Sequence, residues 1–132
     1  MKIAPDTNVL VRALVADDPK QSKLAQAALA NAERVAVTPP ALCELVWVLS
    51  RGYGVANADI SAAIRRLIAS ASVEADRPLI EVGLAMLDAG GDFADAIIAF
   101  EGAALGADTF ASFDKDAVKL LKKQGQNALL LA

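Results

Sequence analysis

Four carboxylates stand out among the 132 residues because of the company they keep. Asp6 opens Asp6-Thr7-Asn8 behind the short apolar start of the chain, and Asp114 follows Ser112-Phe113. Glu44 sits inside Ala41-Leu42-Cys43-Glu44-Leu45-Val46-Trp47, and Asp95 inside Phe93-Ala94-Asp95-Ala96-Ile97-Ile98. An acid with apolar neighbours on both sides is expected off a freely solvated face. Asp6 and Asp114 have a plain alternative as helix N-caps, and Asp92 with Asp95 has capping-box spacing. Glu44 has no such duty that deep in a helix. Four such groups brought together would repel, since one pair at about 4 Å costs about 4 kcal/mol at an effective dielectric of 20. A cluster of that kind stays charged only around a cation.

What the chain lacks narrows the chemistry further. It has no histidine, which closes Ser-His-Asp and Cys-His mechanisms and histidine-bearing zinc sites. Cys43 is the only cysteine, so neither an internal disulfide nor a cysteine cluster can form, and it reads as a small core residue. Gly52-Tyr53-Gly54 lacks the later glycine of a dinucleotide loop, and no glycine precedes Lys-Ser or Lys-Thr. Oxygen donors alone select Mg²⁺ or Mn²⁺ over zinc. Such an ion acidifies water and steadies a leaving oxygen, which is the chemistry of metal-assisted phosphodiester hydrolysis.

Composition bounds the setting. Hydrophobic residues make up 55% and charged residues 22%, which is globular rather than disordered. Mean hydropathy is +0.40, yet no apolar run reaches the ~18 residues of a membrane span. The N-terminus carries no signal-peptide pattern, so a single cytoplasmic domain over 1–132 is expected. The net charge of −3 argues against a broad basic face. Setting the four acids aside leaves 12 of 16 against 13 Lys and Arg, a near-neutral remainder that keeps RNA open as a partner.

The elements that must position these residues alternate between short strands and helices. Residues 2–5 read as a strand, then a helix runs through about Val15. Pro19 opens a second helix to about Ala32, and Arg34 to Val37 reads as a strand. Thr38-Pro39-Pro40 starts a helix that ends at Gly52 and Gly54. Further helices are expected from Asn57 to about Ala69, Pro78 to Asp88, Asp92 to Leu105 and Asp114 to Lys123. Strands are expected near Ser72–Glu74, Thr109–Phe113 and Ala128–Leu131. The alternation implies an α/β fold, a central parallel sheet with helices on both faces. In such sheets ligands sit outside the carboxyl ends of the strands, the edge where Asp6 and Asp114 fall.

These residues together resemble the PIN domain family, and the length and spacing look like the VapC-type toxins of toxin–antitoxin pairs. The motifs are Asp6-Thr7-Asn8, Glu44 in the third helix, Phe93-Ala94-Asp95-Ala96 and Ser112-Phe113-Asp114, and the likeness spans essentially the whole chain. The resemblance implies a single PIN-like domain with about four to five parallel strands, acting as a Mg²⁺- or Mn²⁺-dependent endoribonuclease. Asp6, Glu44, Asp95 and Asp114 match the family's catalytic, metal-holding acids, with Asp116 as an additional metal ligand. Thr7 and Asn8 match its supporting hydroxyl and amide; Ser112 stands where the family usually has threonine, and Asp92 where members often carry an extra acid. Pro5 departs from the pattern, which has an apolar residue with a free N–H there.

The resemblance also implies a cognate antitoxin, an RNA substrate and a homodimer, with no membrane. Trp47 and Tyr53 add modest support for a partner, although its apolar neighbours predict Trp47 in the core. Arg12, Lys20, Lys23, Arg51, Lys115 and Lys119 are the candidates to hold RNA phosphates. A phosphoryl-transfer domain is the catalytic rival, but a haloacid-dehalogenase-like phosphatase wants an Asp where Asn8 stands. A receiver wants an Asp ending a middle strand, where Thr38-Pro39-Pro40 stands instead. The rival from another class is a catalytically silent PIN-like module that binds only a partner or RNA.

Overall fold

A computed structural model describes residues 1–132, with seven α-helices and five short strands. Contacts along the backbone divide the chain into two compact units, Met1–Asp76 and Arg77–Ala132.

The first unit runs β1 (Lys2–Ile3), α1 (Thr7–Leu14), α2 (Pro19–Asn31), β2 (Arg34–Ala36) and α3 (Pro39–Trp47). A π-helical turn, Val48–Gly52, extends α3, and α4 (Asn57–Ala69) and β3 (Val73–Glu74) complete the unit. Its three strands are parallel with β2 in the middle, pairing Ile3 with Val35 and Val35 with Val73. Local sequence explains the helix starts. Asp6, Asp18 and Thr38 each accept a hydrogen bond from a backbone N–H of the first turn, and Pro19 and Pro39 occupy a position where a missing N–H costs nothing. Leu10, Val35, Leu42, Leu45, Ile60 and Ile64 are buried. The first strand ends at Ile3 rather than at residue 5, because Pro5 has no N–H to give a ladder.

Three expectations about α3 need correction. Its buried stripe is Ala41, Leu42, Leu45 and Val46, a helical repeat that leaves Glu44 and Trp47, three residues apart, on the other side. Trp47 is therefore 62% exposed instead of sitting in the core, and Glu44 is exposed despite its apolar neighbours. Cys43, expected in the core, is only partly buried.

The second unit comprises α5 (Arg77–Asp88), α6 (Phe93–Ala104), β4 (Phe110–Ser112), α7 (Lys115–Lys123) and β5 (Ala128–Leu130). Strands β4 and β5 pair in parallel, Phe110 with Ala128 and Ser112 with Leu130. Met86, Ala96 and Leu121 form its core, flanked by Val82, Phe110 and Leu120. Gly83 lets α5 and α6 approach closely, since a methyl group there would run into the buried Phe93 ring. Gly90 closes α5 with a φ of 88°, a left-handed conformation that suits glycine. The expected single sheet of four to five strands is thus observed as a three-stranded and a two-stranded parallel sheet.

Candidate active site

Within the first unit, the end of β1 and the start of α1 open onto a cleft of about 740 Å³. Asp6, Thr7, Asn8, Arg12, Thr38, Glu44 and Tyr53 line it. Asp6 is held by its own helix: Oδ1 accepts from Val9 N at 2.9 Å, which leaves Oδ2 without a protein donor. The capping alternative is therefore real for Asp6, and it occupies only half of the carboxylate. Thr7 Oγ1 donates to the Ala41 carbonyl at 3.4 Å, a cross-link between α1 and α3, the helix that carries Glu44. Asn8 is exposed on the cleft wall and bonds to neither acid. Tyr53 reaches the cleft because the π-helical turn ends at Gly52, where Tyr53 N donates to the Val48 carbonyl at 3.2 Å. Single π-helical turns of this kind recur at functional sites.

In the second unit the acids collect where α6 and α7 begin. Asp92 caps α6 through Oδ1 to Ala94 N at 2.8 Å, and Asp95 lies in the same first turn, half-buried. Asp114 caps α7 with Oδ1, which accepts from Asp116 N at 2.9 Å and Ala117 N at 3.2 Å. Asp114 N in turn donates to Ser112 Oγ at 2.9 Å, so the serine hydroxyl sets the turn that presents the acid. Burial raises the Asp95 pKa above the usual carboxylate range, and the nearby charges of Asp92 and Asp114 raise it further. Three carboxylates whose fields overlap at a half-buried position are an unfavourable arrangement that a cation would relieve. Asp116 is exposed in the first turn of α7.

The site residues expected from sequence thus fall in two sets, Asp6 with Glu44 on one cleft and Asp95 with Asp92 and Asp114 around two helix starts. Within neither unit do three acidic side chains already stand as a cage for an ion. The donors nevertheless suit a hard divalent cation, being carboxylate, amide and hydroxyl oxygens with no imidazole. Of the six candidate cations, Arg12 is on the cleft wall, whereas Lys20, Lys23, Arg51, Lys115 and Lys119 are exposed side chains outside that cleft's lining. Asp17 escaped the sequence reading as a loop residue. It accepts from Arg12 Nη1 and from Tyr53 Oη, each at 2.8 Å. No spacing rule links residues 36 positions apart, so only the fold could reveal the second bond.

No helix is long and apolar enough to cross a membrane. None of the curated proteins matches the chain. The family model described as PIN domain matches residues 3–123.

Proposed function

Because the chain belongs to the PIN domain family, we propose that it is a Mg²⁺- or Mn²⁺-dependent endoribonuclease, the toxin of a VapBC-type toxin–antitoxin pair. PIN domains are a superfamily of nucleases that generally use divalent metal ions. The single observation that carries the step to this chain is Asp95, a half-buried carboxyl whose proton affinity rises beside Asp92 and Asp114. In this reading 1–132 acts as one domain, and Asp6, Glu44, Asp95 and Asp114 are its metal-holding acids. Asp116 would be a further metal ligand.

A bound Mg²⁺ or Mn²⁺ would supply charge neutralisation and a more acidic water for attack on phosphorus. The chain's own residues do the rest. Asp6 and Asp114 are oriented by their capping bonds, each through Oδ1, so their remaining oxygens need no reorganisation to bind. Glu44 would hold the ion or orient the attacking water. Thr7 and Ser112 bond to backbone groups rather than to a carboxylate, and so set backbone geometry. Arg12 is the best placed of the six cations to take an RNA phosphate, since it shares a cleft with Asp6 and Glu44. An antitoxin and a second copy of the chain are the partners of this reading, in a cytoplasmic setting, and Trp47 is an exposed apolar side chain that a partner would cover.

Mn²⁺ titration of the partner-free protein against Asp95→Asn tests the reading without requiring the right RNA. Saturable binding that weakens at least tenfold in the variant is expected. Equal or absent binding in both proteins would return the acids to helix capping and favour a silent binding module.

A further inference from the structure

Helix α1 gives way to a loop whose Asp17 carboxylate is gripped from two directions. Arg12 Nη1 donates to Oδ1 and Tyr53 Oη donates to Oδ2, both at 2.8 Å. The hydrogen bond from Tyr53 and then the bond and charge of Arg12 depress the Asp17 pKa, and the bonds to Asp17 raise the pKa values of Tyr53 and Arg12. All three groups therefore keep these protonation states through neutral pH. Arg12 and Tyr53 line the cleft that also holds Asp6 and Glu44, while Asp17 is not part of its lining.

Asp6 and Glu44 line the same cleft, and a loose guanidinium drawn to them would compete with any cation there. Arg12 instead makes its ion pair with Asp17. In this pose its Nε–H is buried with no acceptor. A bare buried donor of this kind calls for an explanation.

We propose that Asp17 and Tyr53 are positioning residues that hold Arg12 off Asp6 and Glu44, so that the two acids stay open to a divalent cation while the guanidinium stays on the wall for a phosphate. The arrangement spans α1, the loop after it and the residue behind the π-helical turn, which ties the geometry of the acids to a contact made entirely outside them. It rests on the reading of Asp6 and Glu44 as cation ligands.

Mn²⁺ titration of the full chain tests it with four proteins: wild type, Asp17→Ala, Tyr53→Phe and Asp17→Ala with Arg12→Gln. Asp17→Ala is expected to weaken Mn²⁺ binding about fivefold, the scale of one partly exposed ion pair that the metal must break. Tyr53→Phe should weaken it about twofold, because the arginine keeps its own bond to Asp17. Removing the arginine as well should restore affinity to within about twofold of wild type, a rescue that general damage to the fold cannot produce. Wild-type affinity in Asp17→Ala, or a loss that the double variant fails to restore, would overturn the positioning role and leave the metal site standing. A wild type that binds no Mn²⁺ would instead overturn the metal-site reading, and this inference with it.

Discussion

Asp95 carries the most at the scale of single residues. Its pKa lies above the ordinary value because of burial first and the Asp92 and Asp114 charges second. The folded chain therefore holds that proton more tightly than the unfolded chain does. Stability falls as pH rises from the unfolded value of 3.8 through the folded one, and the cost persists at neutral pH. Without divalent cations, Asp95→Asn is expected to melt above wild type at pH 7, and that gain should vanish near pH 3, where both forms are protonated. Paired melts at the two pH values check this, and a variant that melts lower at pH 7 would contradict it. A side chain retained against its own stability is a reasonable mark of function.

Helix starts decide matters at the scale of elements. Asp114 both caps α7, through two backbone N–H groups, and belongs to the proposed metal set. The two duties separate by chemistry, because an amide oxygen caps almost as well as a carboxylate but lacks its charge. Asp114→Asn should melt close to wild type while losing Mn²⁺ affinity. Asp114→Ala should also lose about 1 kcal/mol of stability, roughly 4 °C in a domain of this size. If the Asn variant kept full Mn²⁺ affinity, capping alone would account for the residue. The element scale is also where local sequence served best. The caps Asp6, Asp18, Thr38, Asp92 and Asp114 stand at helix starts, and α4 has the expected bounds, Asn57–Ala69. Capping and helical periodicity act within a few residues, so they can be read without knowing the fold. Strand ends were less legible: β1 and β4 are shorter than the segments expected, and at β1 the missing N–H of Pro5 cuts the ladder short.

Charge and ligation set the behaviour of the whole molecule. A chain with net charge −3 and several acids near one another should gain stability from a cation bound only by the folded state. Mn²⁺ at about 100 times its dissociation constant is expected to add about 2.7 kcal/mol, seen as a higher melting temperature that a chelator reverses. The absence of any such rise would count against a folded-state metal site. The sequence by itself determined the kinds and approximate places of the elements, because those depend on contacts a few residues apart. It also determined that any catalysis must use carboxylates, hydroxyls, lysines or a bound metal, because the chain has no histidine and one cysteine. Tertiary structure alone decided that Glu44 faces a cleft with Asp6, that Trp47 is exposed, and that the strands pair as three and two. It alone also brought Tyr53 to Asp17 and so fixed Arg12. The physical reason is common to all of these: each depends on which distant segment packs against a side chain, and no local spacing encodes that.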